Sequence, residues 1–176
     1  MSKNLKFLDE IQEHVERYGL GCDIRYAEYP TKHVITILVT YGSVSAVVVG
    51  SVDLSTVAIY GLRDSIVNKL YASLKPVIEQ LSAYQIVRRM DTHLLSLIDY
   101  YRENILQAAH YQNVYTNAGL PGYFRTLADK GILELVSIGD DDNSWAVIPT
   151  ALTLPALSAA TAEYHNRRRL QKNRPR

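Results

Sequence analysis

Cysteine, tryptophan and phenylalanine are almost missing from this chain of 176 residues, which has one, one and two of them. A single cysteine, Cys22, excludes an intrachain disulfide. A reactive thiol needs a nearby base and an electropositive setting, and nothing in the sequence points to either, so Cys22 reads as a small apolar residue inside a strand. Long hydrophobic runs are missing too. The longest stretch, Val44 to Val49, is interrupted by Ser45 and is far too short to cross a bilayer, which excludes a membrane span. The first residues lead straight into an amphipathic pattern without the apolar stretch of a signal peptide. The expected location is therefore the cytoplasm, or a virion if the protein is viral.

Recognisable catalytic patterns are lacking as well. No P-loop or G-x-G-x-x-G occurs, and His14, His33, His93, His110 and His165 are scattered, without a pair at metal-ligand spacing. The carboxylates Asp9, Glu10, Asp53 and Asp64 show no arrangement that would split two pKa values. Asp140, Asp141 and Asp142 invite a calcium loop. Counted from Asp140, however, the positions that need Gly and Glu hold Trp145 and Ala151. These absences point away from an enzyme and from any cofactor or metal.

What the chain does have is an uneven charge distribution. The net charge is +1, from 19 Lys and Arg against 18 Asp and Glu. Arg167, Arg168, Arg169, Lys172, Arg174 and Arg176 crowd into the last twelve residues without an acid, so the remainder carries a net charge of −5. A mildly acidic body with a strongly basic end predicts a polyanion partner, or an acidic patch on another subunit. Thirteen tyrosines are the second surplus. Tyr84, Tyr100, Tyr101, Tyr111, Tyr115 and Tyr123 gather in the second half, where a ring that packs while its hydroxyl stays wet suits a core edge, a protein interface or a stack on bases.

Periodicity supplies the fold class. Leu5, Leu8, Ile11, Val15 and Tyr18 recur at helical spacing and end at Gly19 and Gly21. Strand patterns follow over 22–26, 33–41 and 45–49, with residues 56–60 as a candidate fourth, and connections this short require an antiparallel meander. Helical spacing returns with Leu62, Ile66, Leu70, Leu74, Val77, Ile78 and Leu81, where Pro76 is expected to kink or split the helix. Asp91 or Thr92 can cap a further helix bearing Leu94, Leu95, Ile98, Tyr101, Ile105 and Leu106. These two helices form either an oligomer seam or the cover of the sheet and of each other. The expected fold class is α+β, in three parts. Residues 1–82 form a helix, an antiparallel sheet and a covering helix. Residues 83–164 form a second, helical module, and 165–176 a basic tail.

The most telling stretch is 117–150. Asn117-Ala118-Gly119-Leu120-Pro121 is a turn into a helix over 122–130, with Phe124, Leu127 and Ala128 on its buried side and Gly131 ending it. Strands over 134–138 and 145–148 flank a polar loop. A helix, then Leu127-Ala128-Asp129-Lys130-Gly131-Ile132-Leu133, then a hairpin resembles the winged-helix family of helix-turn-helix domains. The resemblance implies that 122–130 is a recognition helix, with Tyr123, Arg125, Thr126 and Lys130 facing nucleic acid. It departs from the family at the wing, where three aspartates stand in place of cations and repel phosphate. The N-terminal order also shares its topology with double-stranded-RNA-binding domains, but Arg63 and Lys69, with Asp64 between them, fall short of the basic cluster that such domains need.

A last helix is expected through Leu152, Leu154, Leu157 and Ala160 into the arginine run, where cations favour the helix dipole. Lys172, Arg174 and Arg176 are expected beyond its end, as a flexible arm. The functional expectation is a non-enzymatic nucleic-acid-binding protein, DNA-binding in particular, of the kind a small viral or prokaryotic transcription regulator would be. Tyr123, Arg125, Thr126 and Lys130 would act with Arg167, Arg168, Arg169, Lys172 and Arg174. The alternative is a structural, assembly or adaptor protein that acts through protein contacts, with another subunit or with further copies of itself as a homo-oligomer.

Overall fold

The apolar spacing at the N-terminus produces α1 (Lys6–Glu16), whose Phe7, Leu8, Ile11 and Val15 are all buried. The computed structural model describes residues 5–139 and 143–173, and the chain divides into two units, Met1–Ser82 and Ala83–Arg176. The class is α+β.

In the first unit α1 is followed by β1 (Gly21–Glu28), β2 (Lys32–Tyr41) and β3 (Val44–Asp53), an antiparallel meander in the order β1-β2-β3. The β2–β3 turn is Gly42-Ser43. Gly42 has φ 59°, the left-handed geometry a two-residue hairpin asks of its first residue. Alternation sends Ile35, Ile37 and Val39 of β2 and Val48 and Val52 of β3 into the core with Ile11, Val15, Ile66, Leu70 and Leu74. At Gly50 the helix that carries Ile66 and Leu70 comes so close that a Cβ would lie 2.6 Å from a Leu70 methyl carbon.

Residues 56–60 are not a fourth strand. They belong to a short helix, α2 (Leu54–Tyr60), which Gly61 ends with φ 78°. A run with four apolar residues carries no period long enough to separate helix from strand, and the sheet already ends at Asp53. α3 (Leu62–Arg88) is recorded as one helix of 27 residues, so Pro76 does not split it. Leu74, Ile78 and Leu81, buried on both sides of the proline, offset the backbone bond it removes. The boundary between the units falls within α3.

The second unit takes Ala83 and Val87 from the end of α3 into its core. Then come α4 (Thr92–His110), β4 (Val114–Thr116), α5 (Gly122–Asp129), β5 (Leu133–Ser137), β6 (Ser144–Pro149) and α6 (Thr153–Lys172). Asp91 caps α4, its carboxylate accepting from the Leu94 amide at 2.7 Å. Strand β4 was not expected from the sequence. It pairs antiparallel with β6, giving a second sheet in the order β4-β6-β5. The Asp140 to Asp142 run between β5 and β6 lies outside the described residues.

Most of the apolar residues proposed for an oligomer seam are consumed internally. Leu62, Ile66, Leu70, Leu74, Ile78 and Leu81 lie in the first core. Leu94, Leu95, Ile98 and Ile105 lie in the second. Among the described residues no helix is long and apolar enough to cross a membrane.

Candidate nucleic-acid interface

The basic end of the chain is more structured than a tail. Its helix starts from a threonine knot. Thr150 Oγ1 donates to the Gly131 and Ile132 carbonyls (2.9 and 3.0 Å), and Thr153 Oγ1 donates to Ile132 at 2.6 Å while accepting from the Thr150 amide. That knot ties the start of α6 to the turn after α5. Ala156, Leu157 and Ala160 then bury one side of α6. The helix continues through Lys172, so Lys172 is not part of an arm beyond its end. Cations at a helix C-terminus meet the negative end of its dipole, and Leu170, Gln171 and Lys172 are good helix formers. Arg174 and Arg176 lie outside the described residues.

Helical geometry divides the arginine run. Glu163, on the inner side, is only 7% exposed. Its carboxylate accepts from Arg167 Nε at 2.7 Å and from Arg88 Nη1 at 3.3 Å. Arg167 also donates to the Met90 carbonyl (2.9 Å) and the Arg88 carbonyl (3.4 Å), which close the C-terminal end of α3. Its side chain is 24% exposed, and three of its five N–H donors are spent on this clasp. Arg167, expected to grip phosphate, is thus turned inward.

Arg168, Arg169 and Lys172 are exposed, and with His165 they repeat at the i, i+3, i+4, i+7 spacing that defines one helix face. Arg168 lies over the Tyr164 ring at 5.7 Å, and Arg169 donates to Asn166 Oδ1 at 3.2 Å. Neither contact neutralises a charge. His165 sits 3.3 Å from Asp99 of α4, and Tyr164 accepts from Ser96 at 3.3 Å, fixing the helix at the base of this face.

The residues expected on a recognition helix are placed differently. Phe124 and Leu127 are buried, as their spacing required. Tyr123 stacks on Tyr101 of α4 with ring centroids 5.1 Å apart and a 13° interplanar angle. Burial, and then the neighbouring Tyr115 and Tyr101, push its phenol above the usual range. Tyr123 and Thr126 line a small cleft with Asp91, His93, Leu94 and Leu97. Arg125 is exposed, donates to Asn117 Oδ1, and lies 5.7 Å from the Trp145 ring. Lys130 is the C-cap. Exposed Asp129 and Glu134 stand against these two cations, so α5 offers little net positive charge. Among the described residues no hydrogen bond, ion pair or ring contact joins the four α5 side chains to those on α6.

Two polar arrangements escaped the sequence. The Glu163 clasp joins residues 75 or more positions apart through Arg88 and Met90, and only its Glu163–Arg167 spacing of four was visible beforehand. In the first unit Tyr26 Oη lies 2.5 Å from Glu28 and 2.6 Å from Nδ1 of buried His33. A phenol has one proton, so if it donates to Glu28, His33 must donate from Nδ1. Burial and Glu28 push Tyr26 up to about 12, which keeps it a neutral donor. The Cys22 thiol is pushed up to about 11 by burial and by Glu16 and Asp23, the opposite of activation. Arg63 is held by Glu10 and Asp64 at 3.6 and 3.7 Å, so it is not free to grip phosphate.

Compared with family models, curated proteins and solved structures, the chain matches none of them, and its own residues carry the functional reading.

Proposed function

We propose that this chain is a non-enzymatic nucleic-acid-binding protein that grips phosphate through the exposed face of α6, with Arg168, Arg169 and Lys172 as the contacts. The observation that carries the reading is the division of the arginine run. The one acid on this part of the helix, Glu163, is buried and answered by Arg88 and Arg167, leaving three outward cations that have no partnering carboxylate among the described residues. Phosphate attraction is the main sequence-independent term in such binding. The stripe from Arg168 to Lys172 rises about 6 Å along the helix, close to the two steps of about 3.4 Å that separate three successive phosphates of one DNA strand.

A winged-helix-like role for the second unit is supported by its order of helix, short strand, helix and hairpin, and by the third strand, β4, completing the sheet beside β6. On this reading α5 positions the module and Arg125 and Lys130 add to the contact, while α6 supplies most of the charge. DNA is the expected ligand. The competing reading is an assembly or adaptor protein, favoured by apolar side chains left on the surface, including Val47, Val49, Ile59 and Tyr60.

The test is fluorescence anisotropy with a labelled DNA duplex over a salt series. Each phosphate contact contributes about −0.9 to the slope of log K against log salt. The triple change Arg168→Ala, Arg169→Ala, Lys172→Ala is therefore expected to flatten the slope by about 2.7. An unchanged slope, or no binding by the unaltered protein at low salt, overturns the proposal.

A further inference from the structure

Strand β3 is an edge of the first sheet, with β2 on one side and, among the described residues, no strand on the other. Such edges template pairing with other chains, and proteins guard against this with charges, proline or bulges. The opposite edge follows the rule: β1 carries exposed Asp23, Arg25 and Glu28. From Val44 to Val52, β3 has no charge and no proline, and it pairs with β2 without a bulge. It also shows two valines to solvent, Val47 at 58% and Val49 at 61% exposure.

The residues of this edge mirror one another about Val48. Val47 matches Val49, Ala46 matches Gly50, Ser45 matches Ser51, and Val44 matches Val52. From this symmetry we infer that two copies of the chain associate by antiparallel β3–β3 pairing about a two-fold axis at Val48. In that register every residue faces its chemical like: valine opposite valine, serine opposite serine, and the two smallest residues opposite each other. Because the axis passes through a residue, paired positions share the same parity. Core-side residues stay on the core side and Val47 and Val49 on the outer side.

The backbone pattern agrees with the same register. A two-residue hairpin makes Tyr41 and Val44 a hydrogen-bonded pair, so Val44, Ala46, Val48, Gly50 and Val52 direct their amides and carbonyls at β2. The groups of Ser45, Val47, Val49 and Ser51 then face the open edge. With the axis at Val48 these are the residues that pair, Val47 with the second copy's Val49 and Ser45 with its Ser51. A two-fold pair closes on itself, so the assembly stops at a dimer. The inference does not depend on nucleic-acid binding.

Sedimentation equilibrium of the full chain tests it. The mass should be about twice the chain's 19.9 kDa. The double change Val47→Lys with Val49→Lys places lysines opposite one another and is expected to give a monomer, and Val47→Glu with Val49→Glu the same. Both sites are exposed, and far-UV circular dichroism checks that each variant is folded. Mixing the two variants should restore a heterodimer, because every cross-strand pair is then lysine against glutamate. A monomeric wild type, a lysine variant that stays dimeric, or a mixture that stays monomeric overturns the β3 pairing.

Discussion

Replacing Arg167 by alanine should destabilise the second unit far more than the same change one residue further on. Arg167 is three-quarters buried and makes one charged bond to Glu163 and two more to the Met90 and Arg88 carbonyls. Breaking a buried ion pair from one side costs about 3–5 kcal/mol when the remaining charge is left without a partner. Here Glu163 keeps the Arg88 guanidinium at 3.3 Å, which moderates the loss, while the Arg88 and Met90 carbonyls lose a donor. The expected cost is about 2–4 kcal/mol. Arg168→Ala, which removes an exposed cation and a single ring contact, should stay within about 0.5 kcal/mol of wild type. Glu163→Ala should resemble Arg167→Ala, with a coupling between the two of about 1–3 kcal/mol in a double-mutant cycle. Urea unfolding followed by tryptophan fluorescence is a suitable assay, because the lone tryptophan, Trp145, lies in the same unit as the clasp. If Arg167→Ala and Arg168→Ala unfold at the same urea concentration, the division of the arginine run into an inner and an outer face is wrong.

Two further outcomes concern the first unit. Gly50→Ala should cost about 1–3 kcal/mol through overpacking, since the added carbon meets Leu70 at 2.6 Å and Ile66 at 3.1 Å, read as a lower midpoint in chemical denaturation followed by circular dichroism. Cys22, with its thiol raised from 9.0 to about 11, should react about a hundredfold more slowly with a thiol reagent near pH 8 in the folded protein than after unfolding. The linkage sign follows from the same shift. Above pH 9 the unfolded chain releases this proton first, so stability falls as pH rises from 9 towards 11, and Cys22→Ala should lessen that fall.

Sequence reasoning reached the elements whose period is long and whose partners are adjacent. The alternation of β2 and the apolar face of α4 are unambiguous over ten and nineteen residues. It failed on α2, where the four apolar residues Val57 to Tyr60 fit either period, and on β4, a three-residue strand that exists because β6 lies beside it. The basic end shows the same limit at the level of a site. Composition counted six equal cations, whereas α6 sorts the four it carries, Arg167, Arg168, Arg169 and Lys172, by azimuth, and Glu163 claims one of them. That sorting depends on the end of α3 and the turn after it offering Arg88 and Met90 to the inner face, contacts across more than seventy residues. The mirror symmetry of β3 was in the sequence throughout, but it acquires meaning only once the strand is known to be an edge.

A cationic stripe on a folded helix is a different binding device from a disordered arm. An arm must lose its conformational freedom when it meets phosphate, at a cost of about 1–2 kcal/mol per ordered residue in the backbone alone. Arg168, Arg169 and Lys172 have already met that cost through the threonine knot and the Glu163 clasp, so their attraction for phosphate is less offset on binding. The clasp therefore couples stability to binding in one direction. Loosening it by Arg167→Ala frees the end of α6, and affinity for DNA should fall even though the number of outward cations, and with it the salt slope, stays the same. Loss of affinity with an unchanged slope would mark Arg167 as a positioning residue, while a slope reduced by about 0.9 would mean that it contacts phosphate itself.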